Sequence, residues 1–274
     1  MKLDIWTESF DVSTLDEEQV QYLELLPPDV PTIDWVWSEM DRVWDEQGLD
    51  NLSSLSNEQF GRFYSHPVWV MNGIFTELDP TSMQHRKAIS EFMKANGLKK
   101  IADYGGGSGV LAKVISETDP EAVVDVVEPY ASDFFKNRLQ DIDQVKFKSG
   151  FEGEVYDVAI AQDVLEHVTN PVEVAFEMAK NVKEGGKLIY ANCFYPVIKC
   201  HLPQTFYLRY TFKYVMNAMG LTFEGSVPGA NHALVFGKRG KLNLDKAIRA
   251  KKRYKTLGSG LNGVARRLSG LRKS

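Results

Sequence analysis

Cysteine is scarce and poorly placed for cross-linking. Cys193 and Cys200 are the only two, and neither stands in a Cys/His set at zinc-ligand spacing. Neither a disulfide framework nor a metal ligand is expected, and a reducing, cytoplasmic setting fits. Long apolar runs are also missing: no stretch approaches the ~18 apolar residues of a membrane span. The opening residues, MKLDIWTESFD, have neither a basic segment nor an apolar segment of the secretory type. The expectation is a protein neither secreted nor integral to a membrane.

Positive charge is outnumbered by acids over most of the chain. Residues 237–274 hold 13 Lys or Arg against one acid, Asp245, so a formal net charge of −5 conceals a body at −17 and a tail at +12. An acidic body is a poor surface for nucleic acid, and an anionic partner would have to meet the tail. The tail has two parts. Asp245 to Lys255 is charged nearly all round; after Gly258-Ser259-Gly260, a narrow apolar stripe of Leu261, Val264, Ala265, Leu268 and Leu271 runs beside Arg266, Arg267, Arg272 and Lys273. A solvated disordered end is the plainest reading of the tail. Its alternatives are a peripheral helix on an anionic membrane face or a nucleic-acid clamp.

The 274 residues, 43% of them hydrophobic, suffice for one large α/β domain with a helical addition. Residues 1–95 hold all five tryptophans (Trp6, Trp35, Trp37, Trp44, Trp69) and show no convincing strand pattern. Leu15 to Leu26, Ile33 to Asp45 and Asn57 to Tyr64 read as helices. Asp79-Pro80 begins another that runs to Ala95 and is ended by Gly97. This region is either a helical layer filled by its tryptophans or a lid presenting Phe63, Tyr64, His66, Trp69 and Asn72 to a ligand. From Lys99, strands at 100–104, 122–128, 145–149, 156–162 and 186–192 alternate with helices at 109–118, 131–140, 171–182 and 203–219. Leu221 to Val227 and His232 to Lys238 then form a terminal hairpin. Such alternation specifies a mostly parallel sheet with helices on both faces. The expected divisions are a helical cap at 1–95, the sheet domain at 96–238 and the basic tail at 239–274.

The chain is organised around KKIADYGGGSGVLAKVISETDPEAVVDVVEP. In it a strand ends in Asp103, a turn holds Gly105, Gly106, Gly107 and Gly109, a helix follows, and a second strand ends in Glu128. The glycines let backbone approach a ligand, and the helix start presents unpaired N–H groups. Gly107 to Ala112 fits the G-x-G-x-x-A dinucleotide fingerprint, with Glu128 at about the ~20-residue distance of a ribose-binding acid. An NAD-dependent oxidoreductase is therefore one reading. Asp103 argues for another, because a carboxylate before the turn repels a pyrophosphate on the helix start and attracts an ammonium. S-adenosylmethionine carries that ammonium, a ribose and no phosphate.

The run D-x-G-G-G-S-G, with an acid closing the next strand, resembles the class I S-adenosylmethionine-dependent methyltransferases over roughly residues 95–238. The resemblance implies a Rossmann-like α/β fold, a seven-stranded mostly parallel sheet with a terminal antiparallel hairpin, here joined to the N-terminal helical cap. It implies that Asp103 holds the methionine end, that Gly105, Gly107 and Gly109 pass under the cofactor, and that Glu128 binds the ribose. A second likeness lies in Asp163-Val164-Leu165-Glu166-His167-Val168, which resembles the post-strand signature of the small-molecule branch. It implies that Asp163 lies beside the methionine moiety and His167 near the methyl-transfer path. Asn170-Pro171 is read as a helix start with Glu173 completing a capping box. In Ser149-Gly150-Phe151-Glu152, Phe151 falls where the family surrounds adenine, although the acid follows the apolar residue here rather than preceding it.

A methyl transfer needs alignment, exclusion of water and removal of a proton. His167 is read as the base, with His201 or His66 as substitutes. Tyr64, Tyr195, Arg209 and His232 are the candidate substrate contacts, from the cap, the loop and helix after the fifth strand, and the hairpin. The expected reaction is O-methylation of a small polar molecule or sugar acceptor; an RNA methyltransferase working through the basic tail stands as a rival beside the oxidoreductase.

Overall fold

The computed structural model describes residues 1–153 and 155–256. The apolar stripe expected at Leu261 to Leu271, and the glycine break before it, lie outside the described residues.

The chain opens with a hairpin that the sequence reading did not anticipate. β1 (Lys2–Ile5) pairs antiparallel with β2 (Glu8–Asp11) around Trp6-Thr7. The signal was alternation: Ile5, Phe10 and Val12 are buried while their neighbours face out. Next come α1 (Glu17–Glu24), α2 (Ile33–Glu46) and α3 (Asn57–Tyr64), each with a side-chain N-cap, from Asp16, Thr32 and Ser56 respectively. A helix not foreseen, α4 (Val68–Leu78), follows; it is buried on several sides and so shows no amphipathic period. Asp79 then caps α5 (Pro80–Ala95), accepting from the Ser82 N–H at 2.7 Å, as the Asp-Pro pair implied.

The main sheet is built from β3 (Lys100–Tyr104), α6 (Val110–Thr118), β4 (Val123–Val127), α7 (Asp133–Leu139), β5 (Val145–Lys148), β6 (Tyr156–Gln162), α8 (Pro171–Lys180), β7 (Val182–Ala191), α9 (Leu208–Met219), β8 (Leu221–Val227) and β9 (Ala230–Lys238). Its order is β5-β4-β3-β6-β7-β9-β8, with the first five strands parallel and β9 antiparallel to both β7 and β8. This is the expected seven-stranded sheet. Two local details differ. The helix foreseen at 203–219 divides into a 3-10 turn at Pro203–Thr205 and α9. Asn170 makes no side-chain cap, and Glu173 pairs with Lys251 instead of closing a capping box. As expected, no helix stands between β5 and β6 among the described residues, and a groove of about 490 Å³ there is walled partly by Tyr104, Pro129, Phe151 and Lys180.

Three apolar cores position the site. One face of the sheet packs on α5 and α6 through Ile89, Met93, Leu111 and Ile115. The other packs on α8 and α9 through Ala175, Met178, Phe212 and Met216. The third core lies within the N-terminal region, around Trp44, Phe63 and Met71, and also takes in Phe134 and Phe135 of α7 and Ile198, Cys200 and Leu202 of the loop after β7. The cap is therefore joined to both halves of the sheet's carboxyl edge. Residues 244–256 are helical, and Ala247 is fully buried against the α8/α9 face. This part of the tail is thus a packed helix and not a disordered end, because Leu242, Ile248 and Tyr254 supply an apolar side among the lysines. Among the described residues no helix is long and apolar enough to cross a membrane.

Candidate active site

The connections leave β3 and β6 in opposite directions, toward β4 and toward β7, so a crevice opens between their carboxyl ends. On its floor Asp103 is 2% exposed, and its Oδ2 has no hydrogen-bond partner. Burial pushes this carboxyl up to about 7; the Arg86 guanidinium opposes the rise and Glu128 adds to it. The glycine turn wraps the carboxylate. Gly105, Gly107 and Gly109 all have φ between 52° and 74°, and a Cβ on Gly106 would lie 2.5 Å from Asp103 Oδ2. Glu128 ties the far side of the turn, accepting from the Gly107 N–H at 3.3 Å and the Tyr130 N–H at 3.0 Å. Burial raises its carboxyl, with those two N–H groups opposing, and each oxygen keeps a lone pair for a hydroxyl donor.

Across the crevice, the turn after β6 begins with Asp163 in the left-handed region, at φ 54°, its N–H held by the Ala191 carbonyl at 2.7 Å. Glu166 is fully buried; its Oε1 accepts from the Cys193 N–H at 2.6 Å and its Oε2 has no partner. Burial and the nearby Asp163 charge raise its carboxyl. His167 and His201 face each other with ring centroids 4.8 Å apart. Their Nδ1 atoms lie against the carbonyls of Cys200 (3.2 Å) and Tyr195 (2.7 Å), so Nδ1–H donates in both and Nε2 carries the lone pair. Burial drives His167 down to about 3, with His201 contributing, and burial lowers His201 as well, so both rings are neutral near pH 7.

The cap closes over this crevice. Tyr64 spans it, stacked on Tyr130 at 6.0 Å and edge-on to His167 at 6.4 Å. Trp69 stands beside Tyr64 and also meets His167 edge-on at 6.4 Å. Gly73 of α4 rests on the glycine turn, where an added Cβ would come within 2.9 Å of Ser108 Cβ and 2.3 Å of Phe135 Cζ. From α5, Arg86 donates to the Ser82 carbonyl, and its buried Nε has no partner. It lies within electrostatic reach of Asp103 and Asp163, both of which favour its charge. Arg86 was missed in the sequence, yet it had a signal: 86, 89, 90 and 93 share one helix face, so this arginine sits on an apolar stripe.

The remaining candidates are distributed more widely. His232 lies 4.5 Å from His85, ring to ring, and feels the Asp163 charge at the mouth of the crevice. Arg209 lies over the Tyr195 ring at 3.7 Å, forming an outer pair next to the loop that carries His201. Phe151 stacks on Tyr104 at 5.7 Å along the helix-free groove. His66 is engaged inside the cap, where its Nδ1 accepts from the Val68 N–H at 3.0 Å and its ring meets Tyr22 edge-on at 5.4 Å.

The donor set tests which cofactor fits. Asp103 Oδ2, Gln162 Oε1, Glu166 Oε2 and Asn192 Oδ1 are all buried without partners at or just beyond the carboxyl ends of β3, β6 and β7. All four are acceptors, and with the unpartnered Arg86 Nε, Trp69 Nε1 and Tyr64 hydroxyl they form a lining that suits a zwitterion bringing an ammonium and a carboxylate better than a pyrophosphate. S-adenosylmethionine has that character.

Residues 80–203 match the family described as a methyltransferase domain. Similar curated proteins include the ubiquinone biosynthesis O-methyltransferase of Aliivibrio fischeri (strain MJ11), 28% identical over 135 residues, or 45% of this chain and 56% of that protein. That of Nitrosospira multiformis is 25% identical over 155 residues, 54% of this chain and 64% of that one. The chain thus spans more than half, and less than two thirds, of the length of these relatives. Among solved structures, human N-acetylserotonin methyltransferase in complex with SAM shares the fold, with a TM-score of 0.52 at 16% identity, covering 75% of this chain and 67% of that one. Sheet order, the crevice lining and the domain match together favour S-adenosylmethionine over a dinucleotide, and residues 80–203 of the chain match a methyltransferase domain.

Proposed function

We propose that the protein transfers a methyl group from S-adenosylmethionine to an oxygen of a small polar acceptor bound beneath the cap. The observation that carries this reading is the set of four buried, unpartnered acceptor oxygens, of Asp103, Gln162, Glu166 and Asn192, at or just beyond the carboxyl ends of the adjacent strands β3, β6 and β7. The names of the curated relatives, O-methyltransferases, support oxygen as the acceptor atom. When bound, the cofactor supplies an already reactive sulfonium methyl.

The protein's part is then binding, alignment and proton removal. Asp103 receives the ammonium, the unpaired Nε–H of Arg86 is available to the carboxylate of the same methionine end, and Glu128 accepts from the ribose hydroxyls. Asp163 at the crevice edge adds negative potential. Tyr64 and Trp69 exclude water above His167 and give the acceptor a flat apolar wall. His167, with His201 beside it, takes the acceptor's proton at Nε2, which is free because Nδ1–H is spent on the Cys200 carbonyl. Tyr195, Arg209 and His232 contact the outer part of the acceptor. Alignment is the larger contribution, up to ~7–11 kcal/mol in favourable cases, against ~10²–10⁴-fold for a base. Incubation of the full chain with methyl-labelled S-adenosylmethionine and a panel of small phenols, alcohols and sugars tests the proposal. Label appearing in an acceptor, with its mass raised by one CH₂, is expected; label confined to the cofactor across the panel argues against small-molecule transfer.

A further inference from the structure

We infer that Glu166, His167 and His201 form a binding site for a divalent transition-metal ion of the zinc class. Glu166 and His167 come from the turn after β6, and His201 from the loop after β7; the parallel pairing of those strands brings the two ends together. Spacing in the sequence gives no hint of it, since the third residue is 34 positions from the second. One donor atom from each residue lies within 4.8 Å of the other two.

The hydrogen-bond pattern makes this more than proximity. Both imidazoles spend Nδ1–H on a backbone carbonyl, which fixes the tautomer and leaves Nε2 as a lone-pair donor. A second-nitrogen bond of this kind is what orients histidines that bind metals. Glu166 is held through Oε1 by the Cys193 N–H, and its other oxygen is buried and unpartnered. Two neutral imidazoles, each with a free nitrogen lone pair, and a buried carboxyl oxygen without a partner therefore come together, a set that a bound cation would satisfy while holding Glu166 ionised. Two nitrogens and one oxygen suit zinc, whereas magnesium and calcium prefer oxygen alone. Three protein ligands leave a fourth position open, as in zinc sites that bind a substrate. Any use of that position to hold an acceptor oxygen, and so to assist proton removal in place of direct uptake by His167, rests on the methyl-transfer reading. Ion binding itself does not.

The test uses the full chain, stripped with a chelator and dialysed against zinc, with metal content read by mass spectrometry and affinity by competition with a chelating dye. One retained equivalent is expected. His201→Ala and Glu166→Gln should each weaken binding at least tenfold, while a His85→Ala/His232→Ala variant keeps it. Cobalt in place of zinc should give a four-coordinate visible spectrum that His201→Ala abolishes. A folded wild-type chain that retains no stoichiometric ion overturns the inference, as does retention unchanged by both substitutions. These readouts need no cofactor. Failure here leaves methyl transfer standing, and a zinc-binding chain that transfers no methyl refutes only the other proposal.

Discussion

If Asp103 receives the cofactor's ammonium, binding must depend on pH in a defined direction. In the free protein, burial holds this carboxyl at about 7. Only the ionised form attracts an ammonium, so binding releases a proton and affinity falls as pH drops through that value. At pH 7 about half the molecules are competent, at pH 6 about one in ten, and at pH 5 about one in a hundred. Calorimetry with S-adenosylhomocysteine should therefore show Kd rising ~5-fold over the first unit and ~10-fold over the second. Repetition in buffers of different ionisation enthalpy should detect the released proton. Asp103→Asn keeps the shape and removes the titration. It should bind ~10–150-fold more weakly at pH 7, from the ~1.5–3 kcal/mol of a charge-assisted hydrogen bond, and lose most of the slope. The variant also accounts for Glu128, whose raised carboxyl titrates in the same direction. Wild-type affinity that is flat from pH 7 to 5, or equal to that of the variant, would refute the assignment.

Other outcomes follow from the same geometry. Arg86→Met should weaken S-adenosylhomocysteine binding ~10-fold or more by calorimetry, because it removes the unpaired donor facing the crevice. Gly73→Ala forces a methyl onto Phe135 and Ser108; urea melts should show a loss of ~1–3 kcal/mol, with cofactor affinity falling as the cap is displaced. Trp44 is 2% exposed at the centre of the cap's core, so Trp44→Ala should cost ~3–5 kcal/mol by denaturant titration. His167→Ala should lower kcat ~10²–10⁴-fold while leaving the affinity for S-adenosylhomocysteine within a few-fold of wild type.

Legibility in the sequence followed the strength of local periodicity. The strands from β3 to β9 are bounded by glycine, proline and acids, and each lies within a few residues of expectation, since buried parallel strands are short apolar runs between turn signals. Asp103, the glycine turn and Glu128 were readable because their chemistry is contiguous. α4 was not, because a helix buried on several sides has no polar face to mark its period. The β1–β2 hairpin was missed because Trp6-Thr7 is not a turn sequence of the usual glycine or asparagine kind. In the tail, Leu242, Ala247, Ile248 and Tyr254 give the helix a packed side among the lysines, and composition averages so few apolar residues away. The meeting of Glu166, His167 and His201 depends on which strands are neighbours, a tertiary fact that no local window contains.

The central claim is that the crevice takes S-adenosylmethionine and not a dinucleotide. A thermal-shift comparison of the full chain with S-adenosylhomocysteine and with NAD tests it most directly, since a ligand at 100 times its Kd adds about 2.7 kcal/mol of stability. The account predicts a raised melting temperature with S-adenosylhomocysteine, diminished in Asp103→Asn, and none with NAD. A shift with NAD and none with S-adenosylhomocysteine would contradict it.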